Sequence, residues 1–251
     1  MPTITRSEWA RAAVLALVIV AVTSVPYALG FARSDTQHVY SGATLDLVDY
    51  NSYLAKMQQG ARGSWRFSLS YTPEDHPGAL VYPFYLFLGH VVRWTAWSVS
   101  AVYQIARLVC AVAMMLAMYA LIAALISARP LRWLAYVLAC AGSGLGWLQL
   151  IVLPTSAGGI SPIDFWLMDG FPFFAALTFP HFTASVALMA WVFVGVLALF
   201  NCLSWRTAVW TALGSFALTV IHPFSGGLVM PHRICNDPER ICILRDPRIA
   251  G

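Results

Sequence analysis

Residues 12–31 carry no charged side chain, and four more runs of the same character follow at 108–128, 133–153, 182–204 and 207–230. A hydrocarbon core of ~30 Å is crossed by about 20 apolar helical residues. Only helices and closed barrels satisfy every backbone polar group there. The spacing therefore predicts an all-α chain, a polytopic transmembrane helix bundle. The content agrees: 59% of residues are hydrophobic and 10% charged, where a soluble domain carries roughly 25% charged residues. The net charge of +4 comes from arginines scattered between apolar runs. They form no basic face that could follow phosphates, so nucleic acid is excluded as a partner.

The first run exceeds the roughly 7 to 15 residues of a signal-peptide core and ends in "PYALGF" without a small-x-small cleavage site. It is read as a retained first span. Arg6 and Arg11 before it put the N-terminus in the cytoplasm. The stretch 79–98 is shorter in apolar content and interrupted by Pro83, Gly89 and Arg93. Read as a re-entrant or interfacial helix, it leaves Arg129, Arg132 and Arg206 on the cytoplasmic side; read as a sixth span, it turns Arg129 and Arg132 outward, against the positive-inside tendency. Five spans are preferred. Loop 32–78, loop 154–181 and the end of the last run near His222 then share the outer face.

Other signals carry little. Cys110, Cys140 and Cys202 sit in apolar runs as small buried residues. Cys235 and Cys242, near His232, match no common zinc spacing. "GSGLG" at 142–146 lacks the Lys-Ser/Thr of a phosphate loop, and Gly142 and Gly146, four apart, read as a close helix contact.

The unusual stretch is "DLVDYNSYLAKMQQG", 46–60, with two carboxylates, two tyrosines and the chain's only lysine. With Thr44 as N-cap it reads as a helix. Leu47, Tyr50, Leu54 and Met57 form an apolar stripe, expected to face lipid. Asp46, Asp49, Tyr53 and Lys56 form a polar stripe, expected to face a cavity between spans. Asp46, in the first turn, is explained by the helix dipole. Asp49 lies beyond it and aligns with Tyr53, so Asp49 is the stronger catalytic candidate and Asp46 the second. Downstream, Glu74, Asp75 and His76 form another ionisable cluster within the turn-rich "TPEDHPG". Trp65, Phe67 and Tyr71 suit an interfacial belt.

The order of features resembles the GT-C superfamily of membrane glycosyltransferases, which includes the protein mannosyltransferases and aminoarabinose transferases. The resemblance rests on Asp49-x-x-x-Tyr53-Leu54-Ala55-Lys56-Met57, the following Gly63-x-Trp65, and His76-Pro77-Gly78-Ala79-Leu80-x-Tyr82-Pro83. It covers residues 10–128; beyond them only generic spans correspond. The resemblance implies a sugar donor on a polyprenyl phosphate, transfer to an acceptor on the outer face of the plasma membrane, and inversion at the anomeric carbon. A loop carboxylate would act as general base. A carboxylate at a low-dielectric boundary has a raised pKa and is the better base for it. The phosphate leaving group needs positive charge or donors nearby. Lys56, Arg62, Arg66, His76 and Arg107 are the candidates, with Arg107 notable for preceding an apolar run. His181 in "PHF" and His222 in "HPF" each stand at a helix end and are further substrate-binding candidates. No particular cofactor is implied, and a divalent metal at these histidines stays open. Asp164 and Asp169 lie among aromatics in the later loop.

Two departures from the family stand out. Its paired acidic residues are replaced by Asp46 and Asp49, separated by two residues. The apolar pattern also stops near Met230. Residues 1–230 form the membrane module, and 231–251 are a charged tail without a helical stripe, expected to be disordered. The chain therefore reads as an N-terminal fragment, truncated or frame-shifted, that holds the acidic site without assured activity. The competing readings are a non-catalytic membrane subunit and a transporter; a transporter should show internal repeats and mid-membrane charges, and no repeat is found.

Overall fold

A computed structural model describes residues 3–142, 144, 146–152, 162, 166–167, 170–223 and 225. Among these the chain is helical, without a strand; the one pairing of extended chain is a bridge between Phe67 and Ala79. The helices are α1 (Arg6–Ala32), α2 (Leu47–Ala61), α3 (Pro83–Thr95), α4 (Val99–Leu125), α5 (Arg129–Ala141), α6 (Gly146–Val152), α7 (Pro172–Leu177), α8 (Pro180–Asn201) and α9 (Trp205–Ile221). Three of them, α1, α4 and α8, are long and apolar enough to cross a membrane. The tail, including Cys235 and Cys242, and Asp164 and Asp169 lie outside the described residues.

α1 starts at a capping box: the Thr5 hydroxyl accepts from the Glu8 N–H, and the Glu8 carboxylate accepts from the Thr5 N–H at 2.9 Å. The same carboxylate receives Arg132 Nη1 at 3.1 Å and the Tyr119 hydroxyl at 3.3 Å. The start of α1, the end of α4 and the start of α5 therefore meet at one end of the molecule. α4 runs back along α1, antiparallel to it, so that Arg107 near its start meets Ser24 near the end of α1. α3, with 13 residues, spans only about 20 Å at 1.5 Å per residue. α9 returns antiparallel to α8, bringing His222 back beside His181, with ring centroids 6.1 Å apart.

Several sequence expectations need correction: Asp49 falls within the first turn of α2 and not beyond it, because the helix starts only at Leu47, and Cys202 is exposed. α4 begins nine residues before the predicted run, because Ser98 caps it through the Ala101 N–H at 3.2 Å and residues 99–125 contain no glycine or proline. Arg107 thus lies inside the helix instead of ahead of it. The predicted run 133–153 is not one helix: α5 ends at Ala141, and its C-cap Gly142 is in extended conformation. Gly142 and Gly146 therefore share no helix face. α2 is capped by Asp46, whose carboxylate accepts from the Asp49 N–H at 3.1 Å, and not by Thr44. Finally, the apolar stripe of α2 faces protein except at Leu47, which is exposed: Tyr50 and Met57 are buried against α3 and α4, and Leu54 packs onto the same cluster. The cause is a helix contact. A Cβ on Gly89 would lie 2.7 Å from Gly60 Cα and 2.8 Å from the Ala61 nitrogen, so α2 and α3 touch backbone to backbone.

Candidate functional site

The corner between α7 and α8 sets the site. Three consecutive carbonyls at the end of α7 each accept a hydrogen bond from a buried side chain. Arg107 Nη1 donates to Ala176 O at 2.9 Å, the Tyr27 hydroxyl to Leu177 O, and the Tyr103 hydroxyl to Thr178 O at 3.3 Å. A helix end leaves such carbonyls without intrahelical partners, and here α1 and α4 supply them. Arg107 also donates from Nε to Gln104 Oε1 at 2.8 Å and from Nη2 to Ser24 Oγ at 3.1 Å, and it lies 4.2 Å over the Tyr27 ring. It is 1% exposed and not among the cavity-lining residues. Its three donor groups are already engaged within the fold.

The corner delivers His181, at the second position of α8, to the wall of a cavity of about 860 Å³ between α3, α8 and α9. Its lining is mostly apolar, with Leu80, Val81, Phe216 and Val220 among it, and it includes Tyr53, Tyr85, His181 and His222. The His181 Nδ1 and the Tyr85 hydroxyl are 2.7 Å apart. Tyr53 stacks on Tyr85 with centroids 4.3 Å apart and planes 10° from parallel, and its centroid is 5.0 Å from that of His181. Three predicted residues, Tyr53, His181 and His222, are thus brought together. Tyr85 was missed; its signal was only one more tyrosine in "YPFYLF", indistinguishable from an interfacial belt.

Lys56 lies directly behind this wall. It is 6% exposed, donates to Ser52 Oγ at 2.7 Å, and sits 4.1 Å from the Tyr82 ring centroid and 4.6 Å from that of Tyr53. Both tyrosines line the cavity. No carboxylate lies within ion-pair distance of it among the described residues. Burial lowers its pKa, and the more distant Asp49 opposes that shift. The Asp49 carboxyl is raised above its ordinary value, first by partial desolvation and then by Asp46, with Lys56 pulling the other way. Asp49 is exposed at the edge of α2, one turn before Tyr53; Asp46 is engaged as the cap and lines a separate hollow formed by residues 39–47.

The second ionisable cluster is organised differently. His76 accepts from the Leu69 N–H at Nε2, at 2.8 Å, and Nδ1 lies 3.0 Å from Glu74 O, so both ring nitrogens hold the 69–76 turn. Glu74 and Asp75 are exposed and enter no ion pair among the described residues. None of the three lines the cavity. Trp65 stacks on His90 of α3, centroids 4.0 Å apart, tying the loop after α2 to α3. Among the described residues no group of three or more His, Cys, Asp or Glu side chains could hold a metal ion. Comparison with protein-family models, with curated proteins and with solved structures returns no match.

Proposed function

We propose that this chain is a multi-pass plasma-membrane glycosyltransferase of the GT-C kind. It would transfer a sugar from a polyprenyl-phosphate donor to an acceptor on the outer face, with Asp49 as general base. The observation that carries this reading is the cavity: a mostly apolar lining that includes the cluster Tyr53, Tyr85, His181 and His222, with a buried cation, Lys56, that has no carboxylate in ion-pair distance among the described residues, behind two of its tyrosines. A buried charge without a counter-ion is costly, and a ligand with an apolar tail and an anionic head offsets that cost. Asp49 is exposed and outside the cavity lining, one turn before Tyr53; its raised pKa suits it to take a proton from an acceptor hydroxyl arriving at that edge of α2.

In this reading α1, α4 and α8 span, the broken α5–α6 segment and α9 complete five crossings, and α2 and α3 lie at the outer boundary. Cysteines placed singly at Ser127 and Val39, in a background with the native cysteines replaced, test the topology. Val39 should be labelled by an impermeant maleimide on intact cells and Ser127 should not. Labelling of Ser127 from outside would refute it.

The catalytic assignment is tested by Asp49→Asn, assayed with a polyprenyl-phosphate sugar. General-base removal should lower turnover by about 10² to 10⁴-fold at unchanged expression. The reactive form is the carboxylate, so wild-type turnover should fall as pH drops through the Asp49 pKa. That pKa is raised, so the fall begins at higher pH than for an ordinary aspartate. Unchanged turnover in Asp49→Asn removes Asp49 from this role.

A further inference from the structure

His181 is the one imidazole of the site whose two nitrogens can be assigned separately. Nδ1 faces the Tyr85 hydroxyl at 2.7 Å in a buried contact. Nε2 has no hydrogen-bond partner among the described residues, although the side chain is only 8% exposed and lines the cavity. The hydrogen bond admits two forms. If Nδ1–H donated to Tyr85, the phenolic hydrogen would be left without an acceptor, since His181 is the only polar partner Tyr85 has among the described residues. An unmade bond of a buried hydroxyl is costly. If Tyr85 donates to Nδ1, both groups are satisfied, and the remaining ring proton sits on Nε2.

The surroundings favour an oxygen ligand for that proton. His181 is the second residue of α8, a 22-residue helix whose N-terminus has no side-chain cap. Its first-turn N–H groups and dipole favour negative charge there. Tyr53 stacks on Tyr85 and lies beside His181, which holds both rings in register, and Lys56 adds a cation behind Tyr53.

We propose that Tyr85 locks His181 in the neutral tautomer that carries its proton on Nε2, and that this N–H donates to a phosphate oxygen of the lipid-linked donor held in the cavity. His181 is thus a fixed donor to the departing phosphate, and Tyr85 its positioning residue. The ligand half of this assignment rests on the function proposed above; the tautomer half does not.

The two halves are tested separately on the full-length chain in nanodiscs. Long-range proton–nitrogen correlation on ¹⁵N-histidine-labelled protein, with the His181 signal identified by its loss in His181→Gln, should show a proton on Nε2 and none on Nδ1. Tyr85→Phe, which keeps the stacked ring, should give a mixture. A proton on Nδ1 in the wild type overturns the lock. Binding of sugar-free undecaprenyl phosphate is then compared in two variants of similar size. The Gln amide reaches the Nε2 position, and the Asn amide only the Nδ1 position. His181→Gln should bind close to wild type, and His181→Asn about tenfold more weakly or worse, as for loss of a hydrogen bond to a charged group. Equal binding by the two overturns the donor role. Absence of saturable binding by the wild type overturns that role together with the proposed function, and leaves the tautomer result standing or falling by itself.

Discussion

Gly60→Ala and Gly89→Ala should each destabilise the protein by more than the usual 1 to 3 kcal/mol of an overpacked core. The sign of this result is informative. Both residues lie inside helices, where alanine is intrinsically favoured over glycine by about 1 kcal/mol. Were they simple interruptions of a helical pattern, alanine would stabilise. The geometry says otherwise. A Cβ on Gly60 would press into the Leu86 carbonyl, within 3.0 Å of Leu86 Cα, and one on Gly89 would lie 2.7 Å from Gly60 Cα. Backbone cannot rotate aside as a side chain can, so α2 and α3 must separate along the whole contact. That contact seats Met57 and Tyr85, and through Tyr85 the stack with Tyr53 at the cavity wall. Thermal unfolding in detergent measures the cost. Loss of the Trp65–His90 stack, read by tryptophan fluorescence, locates it. A rise in thermal stability for either alanine variant would show that the helices do not touch there.

The same two glycines show what a sequence conveys and what it hides. Gly60 reads as the end of a helix and Gly89 as a flaw in an apolar run, because periodicity registers only side chains. The contact they make is between backbones and leaves no pattern. The long helices α1, α4 and α8 are legible because a stretch of about 20 apolar residues has few alternatives. α4 extends beyond its apolar run because Ser98, Gln104 and Arg107 are polar by composition yet capped or bonded in place. At the site, Asp49, Tyr53 and Lys56 stand out by one helical stripe, and the two histidines by their helix-end position. That Tyr53, His181 and His222 line one cavity depends on α8 and α9 folding back over α3, which no spacing within a segment encodes. Lys56 is the sharpest example. Its place on the polar stripe puts its charge at a cavity, whereas tertiary packing buries it among Tyr53, Tyr82 and Phe67.

Arg107→Met and Arg107→Lys should be almost equally damaging, each lowering stability by on the order of 2 to 3 kcal/mol and each weakening binding of undecaprenyl phosphate. Arg107 is buried, and its fork reaches three acceptors on different elements: Gln104 Oε1, Ala176 O and Ser24 Oγ. Methionine fills the space but leaves the Ala176 carbonyl without its donor. Lysine keeps the charge but is a point donor, and cannot reproduce the planar fork. In both variants one of the three bonds that fasten residues 176–178 to α1 and α4 is lost, and the next residues in the chain, Phe179 to His181, are those that carry the imidazole to Tyr85. Tyr103→Phe, which removes only the bond to Thr178 O, should produce the same defect in smaller measure. The alternative role, in which Arg107 is itself an electrostatic partner of the donor phosphate, gives a different ranking. Lysine would then largely rescue binding, methionine would not, and Tyr103→Phe would be silent. Measured affinities of the three variants, set beside their unfolding temperatures, separate an arginine that holds the corner from one that holds the ligand. The geometry around Ala176 favours the first.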